Sequence, residues 1–277
     1  MKKIINLQPH TGTRWLLALL PFLLLLLLYV AASSARLADN PGDKLLPALG
    51  SFADAIQRMA FEPDKRSGEY LLWVDTGSSL IRLGLGVGIS ALAGLVFGIL
   101  NGAIPFDRAP LSPLVTFLSL IPPMAILPIL FIIFGMDELA KVMLIIIGIT
   151  PALIRDMQQR VLEIPAEQLI KAQTLGASSW QIILRVVLPQ ILPRLLASVR
   201  LALGSAWLFL IAAEAIASTD GLGYRIFLVR RYLAMDVILP YVIWITLLAF
   251  FIDYGLKKIS QWSFPWFHSQ TGDGGKS

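Results

Sequence analysis

The 277-residue sequence contains no cysteine, which excludes disulfides, thiolate metal ligands and cysteine nucleophiles together. Histidine is nearly absent as well. His10 and His268, one near each end and both outside the apolar runs, are the whole supply, so a buried His-built metal centre or proton relay has no material. Charge is scarce, at 15% of residues against about 25% in soluble domains. The small excess of +5 reads, in such a chain, as cytoplasmic-loop bias and not as nucleic-acid binding. No Walker-type loop of the form Gly-x-x-x-x-Gly-Lys-Ser/Thr is present to cradle phosphates, and no cofactor is expected.

Apolar residues, in contrast, make up 56% of the chain, and they gather in runs of the length that crosses a hydrocarbon core, about 20 residues. Six segments stand out: Trp15–Ala32, Ser78–Leu100, Leu111–Phe134, Leu139–Ile154, Leu195–Ala217 and Val237–Leu256. The composition therefore predicts an all-α, polytopic membrane protein with about six transmembrane helices. The fourth run is short and is expected to extend past Glu138 or Arg155. The first, led by Lys2, Lys3 and Arg14, has a rival reading as a signal peptide, but its apolar core exceeds the usual 7–15 residues or so, and a retained anchor is expected.

Lys and Arg in short loops set orientation. With the N-terminus inside, residues 1–14, 101–110, 155–194 and 257–277 are cytoplasmic and hold most of the basic residues, Lys276 included. Loop 135–138 carries only Asp137 and Glu138, whereas Arg225, Arg230 and Arg231 in loop 218–236 run against the trend. Between the first two spans, Leu45, Leu49, Phe52, Ile56 and Met59 recur at helical spacing and suggest an amphipathic helix on the outer side. After the last span, Trp262, Phe264, Trp266 and Phe267 resemble an interfacial belt.

Breakers and charges within the runs mark candidate positions. Adjacent Pro122 and Pro123 deny the third span two amide donors, and backbone broken at that depth must be buried in protein or line a wet cavity. A broken helix beside a solute path and a packed kink are both consistent with this. Gly94 and Gly98 fit close helix packing. Glu214 is the most noticeable intramembrane acid; pairing with Arg225 and exposure to a path both remain open. Snorkelling to the interface accounts for Arg200, Arg82 and Asp253, with Arg82 of interest should an anion pass the outer mouth.

The interruption 155–194 has order of its own. Pro165 and Glu167 mark a helix start, which predicts a helix to Leu175 stopped by Gly176. Ser178 and Gln181 have capping-box spacing and predict a second helix that ends before Pro189. Leu175, Ala177 and Trp180 then sit at the tip of a rigid knob, and exposed apolar groups on such a protrusion mark a docking surface.

The string from Thr174 through Gly176 and Ser178 to Trp180, followed by Val186, Val187, Leu188 and Pro189, resembles the EAA loop in the membrane subunits of ABC importers. In that family the glycine is followed, after nine intervening residues, by an aliphatic residue, any residue, Leu and Pro, and Gly176 with Val186–Pro189 meets the spacing. Its Glu-Ala-Ala corresponds here to Ile170, Lys171 and Ala172, so the glutamate is lost and only the second alanine kept. The resemblance covers about residues 75–257. Further strings, Ile121–Leu130, Phe134–Lys141, Ala213–Ala217 and Gly221–Tyr224, are similar to the nitrate, sulfonate and taurine branch.

The resemblance implies a type I ABC importer permease fold. Residues 1–35 would be a cytoplasmic tail and first span, 36–74 an outer segment, 75–257 the permease core with its coupling loop at 155–194, and 258–277 a cytoplasmic tail. It also implies a non-catalytic subunit in the bacterial inner membrane that pairs with a second copy and forms a path for a small solute such as a sulfonate, taurine or nitrate. ABC ATPase subunits would dock on Ala172, Thr174, Leu175, Gly176, Ala177, Ser178, Trp180 and Pro189, and a periplasmic or lipoprotein solute-binding protein would deliver the solute. Pro122, Pro123, Glu214 and Arg82 are the candidate path residues; membrane lipid, and no nucleic acid, completes the expected partners. An ion-coupled secondary carrier and an integral membrane enzyme are the competing classes. The first commonly has inverted repeats and midplane charges, the second clustered catalytic carboxylates, and neither pattern is evident.

Overall fold

A computed structural model of the chain describes residues 10–65 and 67–267. Lys2, Lys3, His268 and Lys276 lie outside the described residues. No strand occurs among the described residues; the elements are α1 (Thr11–Asp39), α2 (Leu49–Ile56), α3 (Leu71–Ala103), α4 (Pro105–Ser119), α5 (Pro123–Phe134), α6 (Glu138–Leu162), α7 (Ala166–Thr174), α8 (Ser179–Ile182), α9 (Leu188–Ile216), α10 (Leu222–Arg230) and α11 (Met235–Ser263). The chain divides into two compact units, one of residues 1–70 and 229–241, the other of 71–228 and 242–277.

In the smaller unit, α1 is a leucine-rich helix whose side chains are almost all exposed. The segment that follows is pinned back onto it. Tyr29 Oη donates to the Pro47 carbonyl at 2.7 Å, and Ser33 Oγ to the Leu46 carbonyl at 2.9 Å. The amphipathic stretch forms α2, extended by a π-helical turn over Gln57–Phe61, and Phe52 packs on Tyr29 with ring centroids 5.8 Å apart.

The larger unit is organised on α3 and α6, its most extensive helix pairing, with α9 against both. A row of glycines makes this possible. A Cβ at Gly86 would lie 2.7 Å from the Ile145 side chain, at Gly94 2.8 Å from Leu153, at Gly98 2.3 Å from Met157 and at Gly102 2.5 Å from Val161. The partners advance together along both helices, so α3 and α6 run parallel, and small residues let their backbones approach closely. Leu144, Ile145 and Met157 are completely buried between them and α9.

Parallel neighbours require the chain to return between them, and α4 and α5 make that return. The pair is bent by 96° at Leu120–Pro122. Pro122 caps α5 and Pro123 occupies its first turn, where a missing amide costs nothing. Four helices (α1, α3, α8–α9 and α11) are each long and apolar enough to cross a membrane, and five spans result if the bent pair is one. By length and composition alone this is one span fewer than the six apolar runs of the sequence. The shortfall is α6: the short fourth run does extend past Arg155, to Leu162, and at 1.5 Å per residue its 25 residues cover about 37 Å. Yet it takes Glu138, Lys141, Arg155 and Asp156 with it, tolerable because protein rather than lipid surrounds much of the helix.

Gly98→Ala should overpack the α3–α6 contact and lower unfolding stability by about 1–3 kcal/mol. Gly88→Ala, with nothing within 4 Å of its added Cβ, should leave it unchanged; thermal unfolding in detergent compares the two.

Candidate functional site: a buried ion cluster and an exposed helical hairpin

Asp75, Ser79 and Arg82 are spaced four and three on α3 and therefore share one face. Opposite them stand Glu138 and Lys141 at the start of α6, Glu214 near the end of α9, and the loop from Ser218 to Gly223. Arg82, 3% exposed, forks onto Glu138, with Nη2 at 2.7 Å from Oε1, and its Nη1 donates to Glu214 Oε1 at 2.8 Å. It also reaches the Asp220 carbonyl at 3.1 Å and the Asp220 carboxylate. Lys141 Nζ meets Glu138 at 2.7 Å.

Glu214 is fully buried and fully bonded. Besides Arg82 it accepts from Ser79 Oγ at 2.8 Å and from the Gly223 amide at 2.9 Å. Asp75, equally buried, accepts from the Gly221 amide at 2.9 Å and from Arg225 Nε at 2.8 Å. An ion in a low-dielectric interior persists only when its partners replace water, and every carboxylate here has them.

The loop closes because two of its residues are glycines. Gly221 sits at φ +114°, and a Cβ there would stand 2.6 Å from the Glu214 carboxyl; at Gly223 it would stand 2.7 Å from the Ile211 carbonyl. The strings Ala213–Ala217 and Gly221–Tyr224, separate in sequence, are thus two halves of one contact. Arg225 pairs with Asp75 and not with Glu214. Arg82 does not snorkel but anchors the cluster. Arg200 and Asp253 form a bidentate pair at 2.7 and 2.8 Å between α9 and α11, again instead of snorkelling. Of the four expected path residues, the fold joins Arg82 and Glu214, both enclosed by protein. It leaves Pro122 and Pro123 in the α4–α5 break.

At the opposite end of α3 and α6 lies the hairpin. The Gly176 amide donates to the Gln173 carbonyl at 2.9 Å, and the Ala177 amide to the Ala172 carbonyl at 3.1 Å. With Gly176 at φ +83° this is a Schellman stop, and it gives Ala172 its task. Ser178 and Gln181 form the reciprocal capping box. Leu175 is 87% and Trp180 64% exposed at the tip; Thr174 and Ser178 are exposed too, Ala172 and Ala177 half-buried. The second helix does not end before Pro189. After one turn of α8, a π-helical turn over Ile183–Val187 leads straight into α9, with Pro189 in the first turn of α9, where no amide is needed. Val187 and Ile191 root the hairpin in the core.

Glu163, between α6 and α7, accepts from Arg194 at 2.9 Å and Arg160 at 3.3 Å. Partial desolvation pushes its carboxyl up, but the two guanidiniums outweigh that and hold it below the ordinary value. At the neighbouring turn, Ser198 Oγ donates to Asp156. Both ties join α6 to α9.

Residues 86–262 match the protein family described as "Binding-protein-dependent transport system inner membrane component". Among curated proteins, the taurine transport system permease protein TauC of Escherichia coli K12 is 35% identical over 195 residues, 70% of this chain and 71% of that one. The bicarbonate transport system permease protein CmpB of Synechococcus elongatus is 32% identical over 194 residues, 69% of each. Among solved structures, the inward-facing MetNI methionine ABC transporter aligns with a TM-score of 0.61 at 22% identity, over 69% of this chain and 95% of its own.

Arg82→Met strands buried carboxylates and should cost about 3–5 kcal/mol, whereas Arg200→Met, losing a half-exposed pair, should cost about 1 kcal/mol or less; thermal unfolding distinguishes them. The Glu163 tie should stabilise fully above pH 4.5, the ordinary glutamate value, and fade as pH falls through the lowered folded value. Wild type and Glu163→Gln should therefore differ near neutrality and converge in acid.

Proposed function

The chain belongs to the family of binding-protein-dependent transport system inner membrane components and is a permease subunit of an ABC importer, and on that premise we propose that two copies enclose a path for a small oxyanion, worked by ATP hydrolysis in separate chains. The hairpin is the observation that carries the reading. It is stiff, capped at both sides of its turn, and offers Leu175 and Trp180 to a partner. Buried aromatic and aliphatic anchors of this kind supply most of the energy of a docked surface.

ATP-driven closure of two ATPases would draw the hairpins with it. No loop separates α8 from α9, so the displacement passes directly into a span. The Arg194–Glu163 and Ser198–Asp156 ties carry α6 along with α9, and the path opens alternately to either side. The chain itself only transmits and conducts. Ala172, Thr174, Gly176, Ala177, Ser178 and Pro189 shape and root the docking surface, while Arg82 and Glu214 brace the far end of the bundle.

The basic loops favour a cytoplasmic hairpin with both termini cytoplasmic. Residues 36–74 then lie outside, beside the surface where a solute-binding protein would deliver its cargo, and 75–257 form the permease core. Similarity to permeases named for taurine and bicarbonate supports an oxyanion solute. A homodimer follows from the prevalence of two-fold symmetry among assemblies of like chains.

In membranes holding the cognate ATPase, Gly176→Arg with Trp180→Glu should abolish its co-purification while leaving the thermal stability of the permease nearly unchanged. A complex that survives both substitutions contradicts the docking role.

A further inference from the structure

Between α4 and α6 lies an open, polar cleft of about 630 Å³, lined from α6 by Arg155, Asp156 and Gln158. Ser112, Thr116 and Ser119 line it from α4, spaced four and three on one helical face. Arg155 enters from α6 and donates to Ser119 Oγ at 2.9 Å; no carboxylate among the described residues forms an ion pair with it. The acid beside it, Asp156, is already engaged by the Ser198 hydroxyl and by Arg160 at 3.5 Å. Asp156 lines the cleft as well, but its charge is paired with Arg160, which leaves Arg155 as the lining charge without an ion-pair partner among the described residues.

Behind it, fully buried Asn101 donates from Nδ2 to Gln158 Oε1 at 2.7 Å. That bond commits the Gln158 carbonyl inward and turns its NH2 toward Ser112, 3.4 Å away. The walls therefore present a guanidinium, an oriented amide NH2 and the hydroxyls of Ser112 and Thr116, that of Ser119 being spent on the Thr116 carbonyl at 2.7 Å, with the paired Asp156 as the one carboxylate. Guanidinium and hydroxyl donors together suit the several oxygens of a sulfonate or carboxylate.

The geometry points to this cleft as an anion-selecting stretch of the solute path at its hairpin end, with Arg155 setting the sign of the solute and Ser112, Thr116 and Gln158 serving its oxygens. The inference rests on the permease reading and moves solute contact away from Arg82 and Glu214, whose bonds are already satisfied. Arg155, beside an Asp156 already paired with Arg160, attracts an anion without the excess of positive charge that would trap it.

The native chain lacks cysteine, so Thr116→Cys introduces its only thiol. With the permease–ATPase complex in lipid vesicles, the probes are the anionic reagent methanethiosulfonate ethylsulfonate and its cationic trimethylammonium analogue. The anionic reagent should label this chain faster, and millimolar methanesulfonate should slow it. Arg155→Gln should cut the anion-to-cation rate ratio about tenfold, as loss of one nearby charge demands, while Arg155→Lys should keep most of it. A thiol inert to both reagents, or a ratio indifferent to Arg155, overturns the proposal. Taurine uptake by the same vesicles with solute-binding protein and ATP separates the two readings. Uptake with an inert thiol removes the cleft alone. Absence of any anion uptake by the wild-type complex strikes the oxyanion reading, and the labelling ratio still reports the field of Arg155.

Discussion

The backbone-to-backbone approach of α3 and α6 is the constraint on which the rest depends. At four positions along their contact α3 has no side chain to interpose: Gly86, Gly94, Gly98 and Gly102 each meet a full side chain at less than 3 Å from where a Cβ would stand. In lipid the hydrophobic effect does little to hold helices together, so close packing through small residues takes its place. The consequence is a parallel pair in fixed register. One end gathers the ion cluster, the other leads through Glu163 into the hairpin, and α4 and α5 must carry the chain back between.

Charge within such a bundle survives by mutual satisfaction. Arg82, Lys141 and Arg225 face Glu138, Glu214, Asp220 and Asp75 in one connected set, and the Gly221–Gly223 loop contributes two amides that no side chain could replace. Removing one member leaves the others desolvated, which makes the set an all-or-none brace. The far end works differently. There the ties are few and partly exposed, and pairs of that kind contribute little to stability.

The hairpin was legible in the sequence because its signals are local. Gly176 needs a positive φ that other residues resist, and Ser178 and Gln181 lie within one turn, so residue type and spacing suffice. Pro189 misled for the same reason: a proline reads as a stop unless the extra residue of the preceding π-helical turn is known, and only the fold reveals it. The ion cluster was out of reach because the partners that join its helices lie 56 to 150 residues apart. A partial signal existed in Asp75, Ser79 and Arg82 on one helical face, but nothing named the acids opposite. Hydropathy likewise showed only the short apolar middle of α6, since it registers composition and not the burial that lets a helix keep its charges.

The central claim is that the hairpin around Gly176 is a cytoplasmic handle gripped by a separate motor. With Leu175→Cys as the single thiol in intact cells carrying the whole importer, a membrane-impermeant thiol reagent should leave it unlabelled until the cells are opened, and a short bifunctional cross-linker should then join it to the ATPase. Labelling from outside intact cells, or a thiol that stays unreactive because lipid surrounds it, would contradict the account.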